Sequence, residues 1–343
     1  MNIIQMKSLS DYFYDICNSY NDTAPNNYFN FTKNTIEIID KFIIENPKLD
    51  LSWSTNKLYK GLKEIKKKYT GVDINQFVQN LGELHFWIEC FNSGLELERL
   101  SERSTATPDF KIRLEKCDKE VFFEVKTFSI VDGEYGINRE TENSLNDRIK
   151  LEEQINRGKR IASTIRCSNQ YGDKLTRDKE FISLIHILID KFENNFKSNQ
   201  FNKPTFYVVN FLLNEIPRIH NAILRPYYSL NYRNINMIET GLLWAMAFGT
   251  NEMLVLYPTE FEGKPAIQGI LQKQGVLIEY KPNVLGIIFM IYSFGDYKGM
   301  FGLSDFKENR EISENILNKL TGNNWNDNLD SNGWQLQKTR VCD

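Results

Sequence analysis

TPDFKIRLEKCDKEVFFEVKTF, residues 107–128, is the stretch of this 343-residue chain that decides the fold. Apolar and charged residues alternate along its first half, and its second half is β-branched and aromatic. Both patterns are typical of β-strands, and the polar run at 115–119 predicts a turn between them. The stretch therefore predicts a hairpin whose first arm begins at Asp109 and whose second arm runs from Val121 to Phe128.

Three charged side chains lie in the apolar arms of this hairpin. Asp109 directly follows Pro108, and Glu124 and Lys126 lie two residues apart on one face of the second arm. A charge in a buried strand is costly unless it is paired or bound to a metal ion. Carboxylate oxygens suit Mg²⁺, which uses one or two protein carboxylates and keeps several waters. One explanation of these charges is therefore a magnesium site.

A structural explanation uses the same residues. Glu124 and Lys126 would form an ion pair on an edge strand, and Asp109 would be a turn residue after proline. Charged residues make up 25% of the chain, so Glu-x-Lys alone is a weak signal. The complete pattern is more specific, because Pro-Asp enters one strand and Glu-x-Lys follows a short turn inside another apolar strand.

The pattern Pro108-Asp109, followed by Glu124-Val125-Lys126, resembles the signature of the PD-(D/E)XK phosphodiesterase superfamily. The resemblance covers residues 76–170 and does not identify a family within the superfamily. It implies a restriction-endonuclease-like α/β core, in which a mixed β-sheet is flanked by helices. It also implies cleavage of phosphodiester bonds in nucleic acid with Mg²⁺, for which Mn²⁺ substitutes.

The resemblance also implies a role for each charged residue of the hairpin. Asp109 and Glu124 would hold the cation, which would polarise the phosphodiester and lower the pKa of an attacking water. Lys126 would orient this water or offset the charge of the transition state.

Members of the superfamily often carry a further glutamate on the helix before the hairpin. Residues 78–91 predict this helix, with Glu83 and Glu89 as candidates. At about 100° per residue, Glu89 falls beside His85 and Asn92, on the more polar side of the helix. A buried glutamate facing the site would be the better metal or water ligand, so we favour Glu83. The alternative is a glutamate that forms a salt bridge or reaches solvent.

Composition restricts the class of protein. Hydrophobic residues make up 41% of the chain, which supports a substantial core and argues against disorder. The net charge is −3, so nucleic acid would have to bind at local basic patches. Five scattered cysteines and three scattered histidines give neither a disulfide framework nor a zinc motif. Without a signal peptide or an apolar run of about 20 residues, we expect a cytoplasmic protein that does not span a membrane.

The sequence divides into four regions. We expect a helical N-terminal region at 1–75, the nuclease core at 76–215, an extension of the core or a small subdomain at 216–320, and a loosely ordered tail at 321–343. Within the core the predicted order is helix, three strands, helices and a fourth strand. In the third region we predict a helix at 236–248, followed by further strands.

Two helices carry candidate contacts to nucleic acid. The first has the densest lysine patch of the chain, including Lys66 and Lys67. The second, predicted from about residue 147, carries Gln154 and Arg157. A solvated helix face is the more common explanation of such charges, and phosphate binding is the alternative that a nuclease site would favour.

The resemblance therefore implies a metal-dependent endonuclease of restriction, defence or DNA-processing type that acts on DNA rather than RNA. A homodimer and an additional protein partner are further expectations. One alternative is a catalytically silent nucleic-acid-binding or assembly protein that keeps the nuclease fold. The other is a structural interaction module, in which Glu124 and Lys126 would be exposed and Asp109 would be distant from Glu124.

Overall fold

The computed structural model of this protein contains two compact units. Unit 1 comprises Met1–His85, Ser129–Gly172 and Phe294–Asp296, and unit 2 comprises the rest of the chain. The structure describes residues 8–19, 25–67, 71–101, 107–114, 119–128, 146–161, 180–196, 202–213, 228–232, 235–239, 242–256, 267–278, 283–293, 295–304, 310–321, 324–327 and 336–341.

The described elements of unit 1 are helices. They are α1 (Leu9–Ser19), α2 (Pro25–Glu45), α3 (Ser52–Lys67), the first part of α4 (Gly71–Asn92) and α5 (residues 146–156). In α3 the residues Leu58, Leu62 and Ile65 repeat at helical spacing and are fully buried. The helical character predicted for the N-terminal region is confirmed for these ranges.

Capping explains where α1 begins. Ser8 Oγ accepts a hydrogen bond from Asp11 N–H at 3.0 Å, and Ser8 N–H donates to Asp11 Oδ2 at 3.3 Å. The buried carboxylate of Asp40, on α2, accepts hydrogen bonds from the N–H groups of Leu9 at 3.1 Å and Ser10 at 2.6 Å. Two free donors at the start of α1 are thus satisfied by α2.

The twelve strands that the structure describes belong to unit 2, apart from the first residue of β10. The strands are β1 (Glu98–Arg99), β2 (Phe110–Leu114), β3 (Lys119–Thr127), β4 (Thr205–Asn210), β5 (Tyr228–Tyr232), β6 (Ile235–Glu239), β7 (Leu254–Leu256), β8 (Ile267–Ile270), β9 (Val284–Ser293), β10 (Asp296–Ser304), β11 (Asn324–Asp327) and β12 (Leu336–Val341). Eight of them form one sheet in the order β1-β2-β3-β4-β9-β10-β12-β11, and β5 to β8 form a second sheet.

The larger sheet is mixed. β2 and β3 form the predicted hairpin, with Phe110 opposite Phe123. β4 lies parallel to β3, with Tyr207 beside Glu124, and parallel to β9 as well. A parallel pair needs a crossover connection, and the crossover from β3 to β4 includes helix α6 (Glu180–Asn195).

Helices cover both faces of the sheet around the hairpin. Phe86, in the part of α4 that belongs to unit 2, packs against Phe123 with ring centroids 5.5 Å apart. Phe192 of α6 and Phe196, just after this helix, pack against Tyr207 with ring centroids 4.5 and 4.4 Å away. Because neighbouring residues of a strand point to opposite faces, α4 and α6 lie on opposite sides of β3. This confirms an α/β fold with a mixed sheet flanked by helices.

The second sheet corrects one prediction. Residues 236–239, predicted to begin a helix, belong to β6, which pairs with β5 and β7. Helix α7 begins only at Leu242 and ends at Phe248. Over so short a run, the spacing of the apolar residues Ile235, Met237 and Ile238 fits a helix as well as a strand. Pairing with neighbouring strands decides in favour of the strand.

The C-terminal part of the chain contributes a helix and strands. Helix α8 (Arg310–Leu320) buries Ile316 and Leu317. β12 pairs with both β10 and β11, and the loose order expected for residues 321–343 stays a prediction. Over the described ranges, no helix combines the length and the apolar character needed to cross a membrane.

His85 should make the stability of the protein depend on pH. Its side chain is fully buried in α4, and this burial lowers its pKa to about 3. The unfolded chain therefore binds a proton below pH 6.5 that the folded chain excludes. The contribution of His85 to the free energy of unfolding is fully present above pH 6.5. It is lost, by about 1.4 kcal/mol per pH unit, as the pH falls towards the pKa of His85 in the folded protein.

We expect His85→Gln to reduce this dependence by about one proton. The measurement is the free energy of unfolding in urea at several values between pH 7.5 and 5, for the wild type and the variant. Equal slopes in the two proteins would contradict the expectation.

Candidate functional site

Glu124 and Lys126 form a close ion pair on β3. The side chains at positions i and i+2 of a strand share a face, and Lys126 Nζ lies 2.6 Å from Glu124 Oε1. The Glu124 side chain is only 1% exposed, whereas that of Lys126 is 26% exposed. The carboxylate is thus inside the protein, and the ammonium connects it with the surface.

Aromatic side chains lie near Glu124. Tyr207 lies beside it on β4, and Phe192 of α6 and Phe196, just after this helix, pack on the tyrosine ring. Burial raises the pKa of the Tyr207 hydroxyl, and the negative charge of Glu124 raises it further. Charge interactions are strong in such surroundings, because little water screens them.

Asp109 lies just before β2 and is attached to β3 by two hydrogen bonds. Its N–H donates to the carbonyl oxygen of Phe123 at 3.0 Å. Its Oδ2 accepts a hydrogen bond from the N–H of Val125 at 2.8 Å. The structure therefore brings the Asp109 carboxylate to the backbone of the residue that directly follows Glu124.

Arg99 completes the group, although our sequence reasoning missed it. Arg99 Nη1 lies 3.5 Å from Asp109 Oδ1, and the two side chains are 16% and 14% exposed. The guanidinium also lies over the ring of Phe110, 5.1 Å from its centroid. The sequence predicted a strand here, but only the antiparallel pairing of β1 with β2 places Arg99 next to Asp109.

The predicted helix glutamate is buried, but burial does not single it out. Glu83 and the rejected candidate Glu89 are each 7% exposed. Glu83 Oε1 accepts a hydrogen bond from Gln79 Nε2 at 3.3 Å, one helical turn away. Glu83 belongs to unit 1 and the hairpin to unit 2, so the role of Glu83 stays a prediction.

The predicted nucleic-acid contacts lie on the surface of unit 1. Lys66 and Lys67 are exposed at the end of α3, where Lys67 pairs with Glu64 at 3.4 Å. Arg157 follows α5 and pairs with Glu153 at 3.5 Å, and Gln154 accepts a hydrogen bond from a lysine. Exposed pairs of this kind contribute little to stability, and the binding role of these residues stays a prediction.

A separate charge network lies at the other end of β3 and is more exposed. Lys111 Nζ is 3.0 Å from Glu120 Oε1 and 3.2 Å from Glu98 Oε2. These hydrogen bonds raise the pKa of Lys111, and the bond from Lys111 lowers the pKa of Glu120. The network provides residues of the same types as the candidate site for comparison.

The residues present suit a cation that needs few protein ligands. Asp109, just before β2, and Glu124, on β3, supply two carboxylates, which agrees with the one or two that Mg²⁺ uses. Among the residues that the structure describes, no group of three or more His, Cys, Asp or Glu side chains is placed to hold a metal ion. Any cation at the hairpin would therefore keep several waters.

The burial of Glu124 argues against a surface interaction module. That alternative required exposed Glu124 and Lys126 side chains, but the carboxylate is almost completely enclosed. It also required Asp109 to be distant from Glu124, whereas Asp109 bonds to the next residue of the strand.

Comparison with known proteins adds no relative to this picture. No family model, curated protein or solved structure matches the chain. The geometry of the hairpin and the resemblance of its motif therefore remain the guides to function.

The ion pair on β3 should matter more for stability than the exposed network. Lys126→Met removes the counter-ion of a buried carboxylate, so we expect a loss of about 2–3 kcal/mol in the free energy of unfolding at pH 7. The measurement is the free energy of unfolding in urea at pH 7.

Two control variants separate charge from packing in this experiment. Lys111→Met, in the exposed network, should cost much less. The double variant Glu124→Gln and Lys126→Met should regain most of the loss, because no charge is then buried. Equal losses for Lys126→Met and Lys111→Met would contradict the importance of the buried pair.

Proposed function

We propose that this protein is a Mg²⁺-dependent nuclease that hydrolyses phosphodiester bonds in DNA. The observation that carries the proposal is the buried Glu124, paired with Lys126 on β3 and adjoining the Asp109 carboxylate. Replacing a buried ion pair with apolar residues is often neutral or stabilising. The stability of the protein alone therefore does not explain why it contains such a pair. A catalytic role is a sufficient reason.

The order of elements supports a restriction-endonuclease-like core. Helix α4 is followed by β1, the hairpin of β2 and β3, helices α5 and α6, and then β4. The hairpin is antiparallel and β4 is parallel to β3. This agrees with the order that the motif led us to expect, in which a fourth strand follows the crossover helices.

The proposed roles follow from the positions of the side chains. Asp109 and Glu124 would hold the cation from adjacent strands. When bound, the cation would polarise the phosphodiester and lower the pKa of a water ligand. Lys126, one end of which is partly exposed, would orient the attacking water and offset negative charge on the phosphate. Glu83 is the proposed additional ligand.

Contacts with the substrate would come from basic side chains. The candidates are exposed or partly exposed: Lys66, Lys67, Gln154 and Arg157. Lysine and arginine bind phosphates whatever the nucleotide sequence. Double-stranded DNA is the proposed substrate because the motif resembles that of enzymes which usually cleave DNA. A homodimer would allow both strands to be cut.

One observation favours a catalytically silent protein as the second candidate. The two carboxylates of the hairpin are already accompanied by two cations, Lys126 for Glu124 and Arg99 for Asp109. This set of charges is balanced without a metal ion. A protein that keeps the fold only to bind nucleic acid would be stable in this state.

Cleavage assays distinguish the two candidates. We expect the wild type to nick plasmid DNA with Mg²⁺ or Mn²⁺ and not with EDTA. Asp109→Asn, Glu124→Gln and Lys126→Met should each lower the rate by at least about a hundredfold, because each removes a ligand or the charge beside the nucleophile. The measurement is the rate of conversion of supercoiled plasmid to nicked and linear forms.

Glu120→Gln is the matched control for Glu124→Gln. It changes the same residue type, on the same face of β3 but in the exposed network, and should leave cleavage unchanged. A wild type that binds DNA without cutting plasmid or single strands under any of these conditions would favour the silent protein.

The lysine patch predicts a salt effect. If Lys66 and Lys67 contact phosphates, changing both to glutamine should weaken DNA binding and lower the slope of log affinity against log salt by about 2. Fluorescence anisotropy at several salt concentrations gives this slope. Changing the exposed Lys41 and Lys48 of the same unit to glutamine is the control, and equal effects of the two pairs would rule out a specific patch.

A further inference from the structure

Tyrosine and lysine side chains meet on the surface of unit 1, where α1 packs against α3. The rings of Tyr12, on α1, and Tyr59, on α3, lie edge to face with their centroids 6.5 Å apart. The ammonium of Lys66 lies over the Tyr12 ring, 5.9 Å from its centroid. Both rings are only partly buried, and Lys66 is exposed. Aromatic rings and a cation thus lie side by side at the boundary with solvent.

The helical period of α3 extends this surface along the helix. Tyr59, Lys63 and Lys66 follow one another at intervals of four and three residues, so their side chains share one face of the helix. Lys63 is exposed, as Lys66 is. This face therefore carries one aromatic ring and two ammonium groups within about two helical turns.

The charge of α3 is strongly positive. The helix contains five lysines, and Glu64 is the only acidic residue in its sequence. Glu64 pairs with Lys67 at 3.4 Å, and both belong to another side of the helix than Tyr59. Such a helix complements a polyanion. A solvated helix face would explain the lysines, but not the tyrosine rings among them.

Two carboxylates near Tyr59 are bonded to the start of α1. Asp40 is buried and accepts hydrogen bonds from two N–H groups of this helix, and Asp11 is bonded to Ser8 in the first turn. The positive end of the helix dipole stabilises both charges. Burial raises the pKa of Tyr59, and the charges of Asp40 and Asp11 raise it further. The Tyr59 hydroxyl therefore stays neutral at physiological pH and does not repel a phosphate.

We propose that the surface formed by Tyr12, Tyr59, Lys63 and Lys66 binds an unpaired strand of nucleic acid. Lysines contact the phosphates of any nucleic acid, whereas a tyrosine ring stacks on a base only where the base is not enclosed in a duplex. Basic side chains combined with aromatic rings therefore favour a single strand. DNA and RNA share this chemistry. The inference goes beyond the proposed cleavage, because a protein that binds without cutting would use the same surface.

Tyr14, also on α1, provides a matched comparison. It is partly buried, and Lys33 lies over its ring, 5.5 Å from the centroid. Its hydroxyl, however, donates a hydrogen bond to the carboxylate of the exposed Glu37. A carboxylate at the edge of the ring repels a phosphate. Tyr14 therefore combines a ring and a lysine in surroundings that do not suit nucleic acid.

The test measures binding in EDTA, so that the cation site plays no part and no strand is cut. Fluorescein-labelled strands of dT or U, about twelve nucleotides long, and a DNA duplex of the same length are titrated with the full-length protein and followed by anisotropy. We expect Tyr12→Leu to weaken single-strand binding about tenfold. Tyr12→Phe, which keeps the ring, and Tyr14→Leu should each stay within about twofold of the wild type.

Binding to the duplex distinguishes stacking from a structural effect. Tyr12→Leu should change the affinity for the duplex less than about twofold, because paired bases do not offer their faces to the ring. A disturbed fold would weaken both kinds of binding. Lys63→Gln should weaken single-strand binding and lower the slope of log affinity against log salt by about 1. Lys41→Gln, at an exposed position on α2, should leave the slope unchanged.

A selective loss of single-strand binding in Tyr12→Leu supports the inference, and the tighter of the dT and U strands then identifies the ligand as DNA or RNA. Equal effects of Tyr12→Leu and Tyr14→Leu overturn the inference, as do equal losses for single strand and duplex. If Tyr12→Leu does not fold, Lys63→Gln decides, since an unchanged single-strand affinity and salt slope in that variant overturn the inference.

The outcomes also separate this surface from the proposed cleavage. A wild type that binds neither single strand overturns the binding surface, whereas the plasmid assay still decides on cleavage at the hairpin. A wild type that binds single strands through Tyr12 and does not nick plasmid supports the surface and overturns only the cleavage.

Discussion

The burial of Glu124 is the constraint on which the candidate site depends. A carboxylate that is 1% exposed has lost nearly all its hydration, and the loss has to be offset by a nearby positive charge or by a bound cation. Lys126 provides the positive charge from the same face of β3, and its partial exposure keeps its own desolvation small. The pair is thereby both tolerable in the core and accessible from outside.

The fold creates this situation by placing β3 between a hairpin partner and a parallel neighbour. β2 brings Asp109 to one side of the strand, and β4 brings Tyr207 to the other. Helix α6 covers the face that carries Glu124 with aromatic rings, which exclude water. Each element contributes to one local property, a low-dielectric environment with charged groups at its rim, where electrostatic interactions are strong.

The same arrangement explains why two functional interpretations compete. With Lys126 and Arg99 as counter-ions, the two carboxylates are balanced in the absence of metal. A catalytic site of this kind must exchange one set of positive charges for another when cation and substrate bind. A protein that only binds nucleic acid would keep the first set. The affinity for the cation is therefore more informative about this protein than its stability.

The sequence by itself determined the local features of the hairpin. Alternation and β-branched residues defined its two arms, and the spacing of two residues placed Glu124 and Lys126 on one face. It also gave the α/β class and the helices of the N-terminal region, because long amphipathic patterns are unambiguous. It gave the wrong element for residues 236–239, where a short apolar run fits both helix and strand.

Only the tertiary structure decided which residues outside the hairpin meet it. Arg99 is twenty-five residues from Glu124 in a strand of two residues, and nothing local distinguishes it from other arginines. Its position follows from the register of β1 on β2, which long-range pairing sets. The burial that makes Glu124 unusual has the same origin, since the covering helix and the neighbouring strand are about sixty to eighty residues away along the chain. Sequence patterns report the faces of an element, whereas packing decides what each face meets.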